Sequence, residues 1–318
     1  MKHTTIKLMT YNIGGGRKDL GSVATGILET IQQERPDILA LQEAISIVTE
    51  NNVENTLTEI SSNIRYNHFF FGQTLSMEQN LSVNKYLFVY GIFNDWKDWQ
   101  QGNALLSQWP FIRLNALSAG TPRNIPIYSP NYEGNRDTEP RYVILARVNH
   151  PTTPFYVLTT HLTTLLGERG GEKREIPLIT EKAKMLRYVQ CRQIITLINK
   201  HLLEKEQLVF LMGDFNAEVD EPCIQELLKN GFFHLSPEEK VGTHIKRQDE
   251  PVDHIFVYPG KNLIKYRCQI IKNKMNASNI EAFGPSDHLP VVAEVNIYDQ
   301  NTEEYKLNGS GVQKDSST

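Results

Sequence analysis

Short apolar runs that end in polar residues recur along the chain and predict a strand-rich fold. Each run is rich in Val, Ile, Leu, Phe or Tyr, a composition typical of buried strands. We predict strands over Ile6–Tyr11, Asp37–Leu41, Tyr86–Phe93, Asn103–Ser107, Tyr142–Val148, Phe155–Thr160, Leu208–Met212, His254–Tyr258 and Pro290–Ile297.

Apolar residues at helical spacing predict helices between these strands. Leu20–Glu34 and Glu181–Leu203 carry apolar residues three and four positions apart. In the second helix these residues are Leu186, Val189, Ile194, Leu197 and Ile198. A third helix begins at Pro222, which suits a first turn, and ends near Gly231, which can adopt the positive φ of a C-terminal cap. This alternation predicts layered α/β packing, with one face of each helix on a sheet.

Three long polar segments show neither pattern: Ser46–Asn67, Ala116–Pro140 and Thr163–Thr180. Loops of this length in a compact domain are commonly functional. Residues 299–318 are polar and contain Ser and Gly, so we expect a disordered tail. The remaining residues, 1–298, are of a length that one domain can bury around a common core.

Composition narrows the class of protein only modestly. The chain has 318 residues, 40% hydrophobic and 22% charged, which is typical of globular proteins. Its net charge of −4 argues mildly against tight non-specific binding of duplex DNA, but not against nucleic-acid hydrolysis, which needs few phosphate contacts.

Three widely spaced cysteines fit neither a disulfide framework nor a zinc site. Without a Sec-type signal or a membrane-length apolar run, we expect a cytoplasmic protein, with non-classical secretion left open.

Polar residues that follow predicted strands suggest a metal-dependent reaction. Asn12 closes the first strand and Glu43 follows the next one, and such oxygen donors are the ligands that Mg²⁺ prefers. Asp214 and Asn216 follow a third strand at a spacing of two, which places them on one side of the chain. An acid beside a carboxamide can orient a water while the amide donates to a phosphate oxygen. Taken singly, each motif is also explained by a turn or by a strand reaching the surface.

Histidines that lie next to acids in the sequence form a second group of candidate catalytic residues. Asp253-His254 and Asp287-His288 both pair a carboxylate with an imidazole. A carboxylate such as Asp253 can fix the tautomer of His288 and raise its basicity. The protonated, cationic ring would then face the phosphorane that develops when phosphorus is attacked. We interpret His254 as structural. His161, at another strand end, can donate to the scissile group, although a lone histidine there is more often a surface residue.

Other histidines, His201, His234 and His244, belong to no constellation that we can identify.

In order along the chain, these motifs resemble those of the endonuclease/exonuclease/phosphatase superfamily, in particular its deoxyribonuclease I-like and exonuclease III-like members. The matching motifs are Tyr-Asn-Ile, Leu-Gln-Glu, Gly-Asn-Ala-Leu-Leu-Ser, Thr-His-Leu, Gly-Asp-Phe-Asn, Val-Asp-His-Ile and Ser-Asp-His-Leu-Pro-Val, and they span residues 5 to 297. The resemblance implies a four-layered αββα sandwich, with two packed, mostly antiparallel β-sheets between helices and a metal cleft at one edge.

The resemblance also assigns a role to each position. Asn12, Glu43 and Asp287 match the metal site, while Asp214 and Asn216 match the water-orienting acid and the phosphate-binding amide. Asp253 and His288 match the dyad, and His161 matches the Thr-His-Leu histidine that contacts the scissile phosphate. The chain lacks the Pro-Asn arrangement of abasic-site endonucleases at Thr160–Leu162 and the Trp-Asp-Arg pattern of 5-phosphatases at Val252–His254.

The resulting hypothesis is a Mg²⁺-dependent phosphoester hydrolase, with Mn²⁺ as a possible substitute and the chain acting as a monomer. Its substrate could be a nucleic acid, a phospholipid head group or a small phosphorylated metabolite. We expect arginines of the two later loops, with Lys173, to contact substrate phosphates, unless they are simply solvated. They are Arg123, Arg136, Arg169 and Arg174. The competing hypothesis is a non-catalytic interaction module or a secreted effector on the same scaffold.

Overall fold

The protein was studied as a computed structural model, which describes residues 3–14, 25–48, 53–64, 66–76, 99–114, 122–168, 176–239, 241–245, 247, 249–272, 286–308 and 310–315. Its helices are α1 (Thr25–Glu34), α2 (Thr56–Ile64), α3 (Pro177–Ile198), α4 (Pro222–Lys229) and α5 (Glu303–Asn308). A π-helical turn, Asn199–Leu203, extends α3, and Arg136–Thr138 form a 3₁₀ turn. Within these ranges no helix is both long enough and apolar enough to cross a bilayer.

Fifteen strands lie within the described ranges. They are β1 (Thr4–Asn12), β2 (Ile38–Val48), β3 (Val53–Asn55), β4 (His68–Ser76), β5 (Trp99–Ser107), β6 (Phe111–Ile112), β7 (Arg123–Tyr128), β8 (Arg141–Val148), β9 (Phe155–His161), β10 (Val209–Asp214), β11 (Phe233–His234), β12 (Asp253–Tyr258), β13 (Leu263–Ile270), β14 (Val291–Tyr298) and β15 (Gly311–Lys314).

These strands form two sheets, and each sheet has one parallel pair near its centre. The first sheet has the order β15-β13-β14-β1-β2-β5-β4, with β3 also pairing β2. The second has the order β11-β12-β10-β9-β8-β6, with β7 also pairing β8. The central parallel pairs are β1–β2 and β9–β10, and most of the other neighbours are antiparallel. The predicted mostly antiparallel sheets are therefore confirmed.

Side chains along the central strands point alternately to the two faces of each sheet, and this arrangement produces the four layers. In β1, Ile6 and Leu8 point into the core between the sheets, whereas Met9 and Tyr11 point into the core beneath α1 and α2. In β10, Phe210 lies between the sheets and Leu211 faces the core under α3 and α4. Both faces of each sheet are buried, which explains the continuous apolar runs in the sequence. The αββα sandwich is confirmed.

Several elements differ from the sequence-based prediction. Strands β3, β4, β7 and β13 and helix α2 were not predicted, and the predicted strand Tyr86–Phe93 lies outside the described residues. Residues 299–318 were expected to be disordered, yet they contain α5 and β15. The edge strand β15 pairs with β13, and Lys265 forms an ion pair with Glu304. This added pairing supplies the order that composition alone does not predict.

Gly213 fixes the end of β10, the strand that presents Asp214. A Cβ at Gly213 would lie 2.0 Å from the backbone oxygen of Thr160, and its φ of +151° disfavours other residues. We expect Gly213→Ala to destabilise the protein by about 1–3 kcal/mol more than Gly311→Ala. Gly311 is a matched control because its φ is +149° but no atom of the described residues lies within 4 Å of its Cβ position. Urea unfolding of both variants measures the difference, and equal losses would contradict the steric argument.

Candidate active site

The candidate site lies where the two central parallel pairs end, at one edge of the sandwich. Asn12 is the last residue of β1, His161 the last of β9 and Asp214 the last of β10. In the second sheet Asp214 is directly opposite His161 on one side and Asp253 on the other. Residues from distant parts of the sequence are thus brought together by strand register, as predicted from their strand-end positions.

Asn12 links the two sheets at this edge. Its Nδ2 donates to Asp214 Oδ2 at 3.0 Å, across the sandwich, and to Glu43 Oε1 at 3.3 Å, within its own sheet. Its Oδ1 accepts from Gly14 N at 3.0 Å. Asn12 itself is buried. The carboxamide therefore holds two carboxylates of the site at a fixed separation.

Glu43 lies within a strand, not at its end as the sequence suggested. Strand β2 continues to Val48 beyond a bulge between Leu41 and Ala44, and Glu43 occupies that bulge with a φ of +54°. A non-glycine residue at positive φ is strained, and such strain is common at functional sites. The bulge turns the half-buried Glu43 side chain into the cleft. Its neighbour Gln42 is buried and donates to Thr159 Oγ1 of the second sheet at 3.1 Å.

Asp214 is the most heavily coordinated group of the site. Its Oδ1 accepts from Asn216 N at 2.8 Å. Its Oδ2 lies 3.0 Å from Asn12 Nδ2, 3.4 Å from His161 Nε2 and 3.6 Å from His288 Nε2. Three nitrogen groups from three strands or loops thus converge on one carboxylate oxygen, which fixes the orientation of the acid.

Asn216 adopts a φ of +52° immediately after β10. Its Nδ2 donates to the backbone oxygen of Leu162 at 2.9 Å, so the side chain also holds the segment that follows His161. The positive φ is better tolerated by Asn than by most residues, which accounts for the Asp-Phe-Asn order at this turn. Its predicted contact with a phosphate oxygen stays a prediction.

The Ser-Asp-His segment docks onto the end of β1 through Ser286. Ser286 Oγ donates to Asn12 O at 2.7 Å and accepts from His288 N at 3.1 Å. Asp287 lies beside Gly14 and lines the same cleft as Glu43, although it comes from the other end of the chain. His288 Nδ1 lies 2.8 Å from Asp253 Oδ2, so the predicted Asp253–His288 dyad is present in the structure.

The two histidines of the site differ in charge. Burial and the nearby Arg141 cation lower the pKa of His161 to about 3, so this ring is neutral near pH 7. Burial would also lower the pKa of His288, but the negative charges of Asp253 and Asp214 outweigh it and raise the pKa to about 9. His288 is therefore a cation that points Nε2 towards Asp214. The site holds one neutral ring and one charged ring on either side of the same carboxylate.

These groups line a solvent-open cleft of about 700 Å³. Its lining residues are Glu43, Arg136, His161, Thr164, Leu165, Leu166, Gly167, Asp214, Asn216, His244, Asp287 and His288. An adjoining cavity of about 520 Å³ shares Glu43, Arg136 and His161 and extends to Thr74, Gln101 and Arg141. The carboxylates of Glu43, Asp214 and Asp287 line the larger cleft, and oxygen donors of this kind fit a hard divalent cation.

Only one of the predicted loop arginines reaches the cleft among the described residues. Arg136 lines both cavities. Arg123 is exposed at the start of β7 and lines neither cavity, so its expected substrate contact is not supported by its position. Arg169, Lys173 and Arg174 lie outside the described residues. Arg141, which the sequence reasoning did not select, is buried in the wall beside Glu43 and His161 and is paired with Glu139 at 3.0 Å.

His244 was also missed by the sequence reasoning. Its Nε2 lies 3.7 Å from Asp287 Oδ2, and its ring packs edge-on against His288 with centroids 4.7 Å apart. Its sequence neighbours carry no acid or strand signal, so only the tertiary pairing of residues 243–245 with 287–289 brings it to the cleft. The sequence assigned His244 to no constellation, and the structure places it beside Asp287 and His288.

His254 has the structural role predicted for it. Its Nε2 lies 2.8 Å from Ala217 O, and its Nδ1 lies 3.1 Å from His234 Nε2. Because a carbonyl oxygen only accepts, Nε2 of His254 carries the proton and Nδ1 accepts from His234. Burial lowers the pKa of His254 to about 4 and that of His234 to about 3. Both rings are neutral in the folded protein.

The buried, neutral pair His254 and His234 leads us to predict that the fold loses stability in acid. A buried histidine with a depressed pKa gives stability that is fully present above the ordinary pKa of about 6.5 and is lost as pH falls towards about 4 for His254. We expect the free energy of unfolding to fall by a few kcal/mol, roughly, between pH 7 and pH 4.5. His254→Phe should flatten this dependence, whereas His201→Phe at an exposed position should not. Urea unfolding at both pH values measures it, and parallel curves for all three proteins would contradict the assignment.

Comparisons with known proteins were made by sequence and by structure. Residues 9–288 match the model of the endonuclease/exonuclease/phosphatase family. A family protein from Beutenbergia cavernae is 17% identical with a TM-score of 0.62, covering 92% of this chain and 72% of its own. The human Nocturnin catalytic domain with bound sulfate is 17% identical with a TM-score of 0.58, covering 93% and 97%. The mannosyl-6-phosphatase Bt3783 of Bacteroides thetaiotaomicron is 15% identical with a TM-score of 0.59, covering 91% and 99%.

At these identities the solved structures establish a shared fold. A comparison with curated protein sequences gave no significant match.

Proposed function

This chain belongs to the endonuclease/exonuclease/phosphatase family, and from that premise we propose that it cleaves a phosphoester by divalent-cation-assisted attack of water on phosphorus. Members of the family are phosphoester hydrolases, so the reaction class follows from membership. The observation that carries the mechanism is the convergence of Asn12, His161 and His288 on one oxygen of Asp214, within 3.6 Å. That arrangement orients the Asp214 carboxylate as a base and places the His288 imidazolium beside it.

Asn12, Glu43 and Asp287 are the residues that would hold the cation. Glu43 and Asp287 offer carboxylate oxygens in the cleft, and buried Asn12 Oδ1, which accepts from Gly14 N, keeps a second lone pair for the ion. Oxygen donors of this kind favour Mg²⁺, with Mn²⁺ able to substitute. When bound, the ion would supply Lewis-acid stabilisation of charge on the phosphoryl oxygens. Burial raises the pKa of Glu43, and a nearby cation would favour its ionised form.

The chain's own groups account for the proton and charge transfers. Asp214 orients the attacking water and accepts a proton from it as the oxygen–phosphorus bond forms. The bond from phosphorus to the leaving oxygen breaks opposite to the attack. His288, a cation held by Asp253, lies close to the negative charge that develops, and neutral His161 donates a hydrogen bond to the scissile group. Asn216 and Arg136 would contact the phosphate oxygens.

The substrate class is best decided by direct assay. The candidates are a nucleic acid, a phospholipid head group and a small phosphorylated metabolite, and the solved mannosyl-6-phosphatase adds a sugar phosphate to the third class. Purified protein would be incubated with oligonucleotides, sphingomyelin, inositol phosphates and mannose 6-phosphate, with Mg²⁺ or with chelator. We expect chelator-sensitive cleavage of one class. Absence of ion-dependent cleavage throughout would favour the interaction-module hypothesis.

Glu43→Gln should weaken the response to the metal ion. The substitution keeps the size and one oxygen but removes a unit charge, and each 1.4 kcal/mol of lost attraction is about a tenfold loss of affinity. We expect the Mg²⁺ concentration for half-maximal activity to rise by about tenfold or more. Glu181→Gln, at a side chain that is 73% exposed, is the control and should respond like the wild type. An unchanged Mg²⁺ dependence in Glu43→Gln would remove this residue from the metal site.

A further inference from the structure

His244 and His288 face each other across an isolated antiparallel bridge. Ile245 N donates to Asp287 O at 2.9 Å, and Leu289 N donates to Thr243 O at 2.7 Å, so backbone hydrogen bonds lie on both sides of the pair. Directly opposite residues of this type have Cα atoms about 4.5 Å apart and side chains on the same side. The two imidazoles are therefore fixed next to each other by the backbone.

Asp287 completes a set of three ligand atoms. One nitrogen of His244, one nitrogen of His288 and one carboxylate oxygen of Asp287 all lie within 4.8 Å of one another. Neighbouring ligand atoms bound to one ion at about 2.0–2.2 Å lie roughly 3.0–3.6 Å apart, so side-chain rotations of about 1 Å would bring the three onto a common centre. His244 and His288 are buried, whereas the Asp287 side chain is 54% exposed, which leaves the remaining coordination positions open to solvent.

His288 has the second-shell support typical of a metal-binding histidine. Its Nδ1 lies 2.8 Å from Asp253 Oδ2, which leaves Nε2 directed into the cleft. Metal-ligating histidines usually donate their other ring nitrogen to a carboxylate, which fixes the tautomer and the ring plane. Asp253 is buried and comes from β12, so it is held independently of the Asp287–His288 segment. An ion bound at Nε2 would replace the proton that this nitrogen otherwise carries, so the positive charge beside Asp214 would then come from the ion and not from the imidazolium.

We propose that His244, Asp287 and His288 form a second cation site that selects a transition-metal ion such as Mn²⁺ or Zn²⁺ over Mg²⁺. Imidazole nitrogens suit transition metals, whereas the all-oxygen set of Asn12, Glu43 and Asp287 suits Mg²⁺. The proposal rests on the proposed function in that Asp287 belongs to both sets, which makes the two ions neighbours in one cleft. Paired cations of this kind stabilise the attacking and leaving oxygens of a displacement at phosphorus.

Metal binding tests the proposal directly. Chelator-treated full-length protein would be titrated with Mn²⁺ and followed by electron paramagnetic resonance, with excess Mg²⁺ present to occupy the oxygen site. We expect the wild type to bind one Mn²⁺ equivalent more than His244→Phe, whereas His201→Phe binds as much Mn²⁺ as the wild type. Equal Mn²⁺ binding by the wild type and His244→Phe would overturn the proposal.

A spectroscopic measurement on the unmodified protein covers the case in which His244→Phe fails to fold. Nitrogen couplings to the bound Mn²⁺ should reveal two imidazole ligands, and the absence of nitrogen coupling would overturn the proposal. The result of this metal-binding measurement can be distinguished from the result of the cleavage screen. Two-imidazole Mn²⁺ binding without any cleavage would sustain this site and refute the proposed function, and Mg²⁺-dependent cleavage without nitrogen coupling would do the reverse.

Discussion

Asp214→Asn is expected to lower turnover by about 10²–10⁴-fold while leaving the melting temperature nearly unchanged. The substitution keeps the shape of the side chain and one oxygen that can accept from Asn216 N, so the turn after β10 is preserved. It removes the negative charge that faces His288 Nε2 at 3.6 Å and the group that accepts the proton of the attacking water. The loss should therefore appear in kcat, with KM little affected.

Asp220→Asn is the matched control, because Asp220 is an exposed acid six positions further along the same segment. It should retain wild-type kcat. Cleavage would be followed on whichever substrate class the screen identifies, and unfolding by calorimetry. An Asp214→Asn enzyme that keeps more than a tenth of its activity would show that this acid does not activate the nucleophile. A large drop in melting temperature would instead assign Asp214 a structural role.

The strand-end residues of the site could be predicted from the sequence because the point at which an apolar run ends is a local property. Asn12, His161 and Asp214 each terminate an apolar run, and parallel strands bring such ends to the same edge. The order of the motifs then predicted the sandwich. The bulge at Glu43 could not be predicted in this way, since the strand continues through it and no glycine marks the positive φ.

Other parts of the site depend on pairing between segments with no periodic signal. His244 reaches the cleft only through its bridge to His288, and Arg141 lies in the wall only because β8 begins there. The buried face of α3 was only partly predicted. Ile194 and Ile198 are buried as predicted, but Val189 is 46% exposed. Arg187 and Gln190 are buried in its place, because Arg187 pairs with Glu168 and Glu221. A pattern of apolar spacing cannot identify a buried cation whose partners are distant in sequence.

Those partners make Arg187 the centre of a buried ion network behind the cleft. Its Nη1 lies 2.6 Å from Glu168 Oε1, and its Nη2 lies 2.7 Å from Glu221 Oε2. Nη1 also donates to Thr163 O at 3.2 Å, and Glu168 Oε2 accepts from Leu165 N at 3.1 Å. The network thus fixes residues 163–168, which follow His161 and form one wall of the cleft.

Arg187→Met is expected to destabilise the protein by about 3–5 kcal/mol, because it leaves the carboxylates of Glu168 and Glu221 buried without their principal cation. The methionine fills most of the volume of the arginine side chain, so the loss of stability reports mainly on the removed charge. Urea unfolding measures it, with the exposed Arg192→Met on the same helix as a control that should cost little.

The triple variant Arg187→Met, Glu168→Gln, Glu221→Gln separates the charge effect from packing. Neutralising both acids removes the uncompensated charges, so most of the lost stability should return, since neutral replacements of buried ion networks are often tolerated. Activity should return with the stability, because the oxygen that Glu168→Gln retains can still accept from Leu165 N and Thr164 Oγ1, and the cleft wall depends on those contacts. A triple variant as unstable as Arg187→Met would mean that the arginine acts through packing, and the ion network would then have no part in holding the wall of the active site.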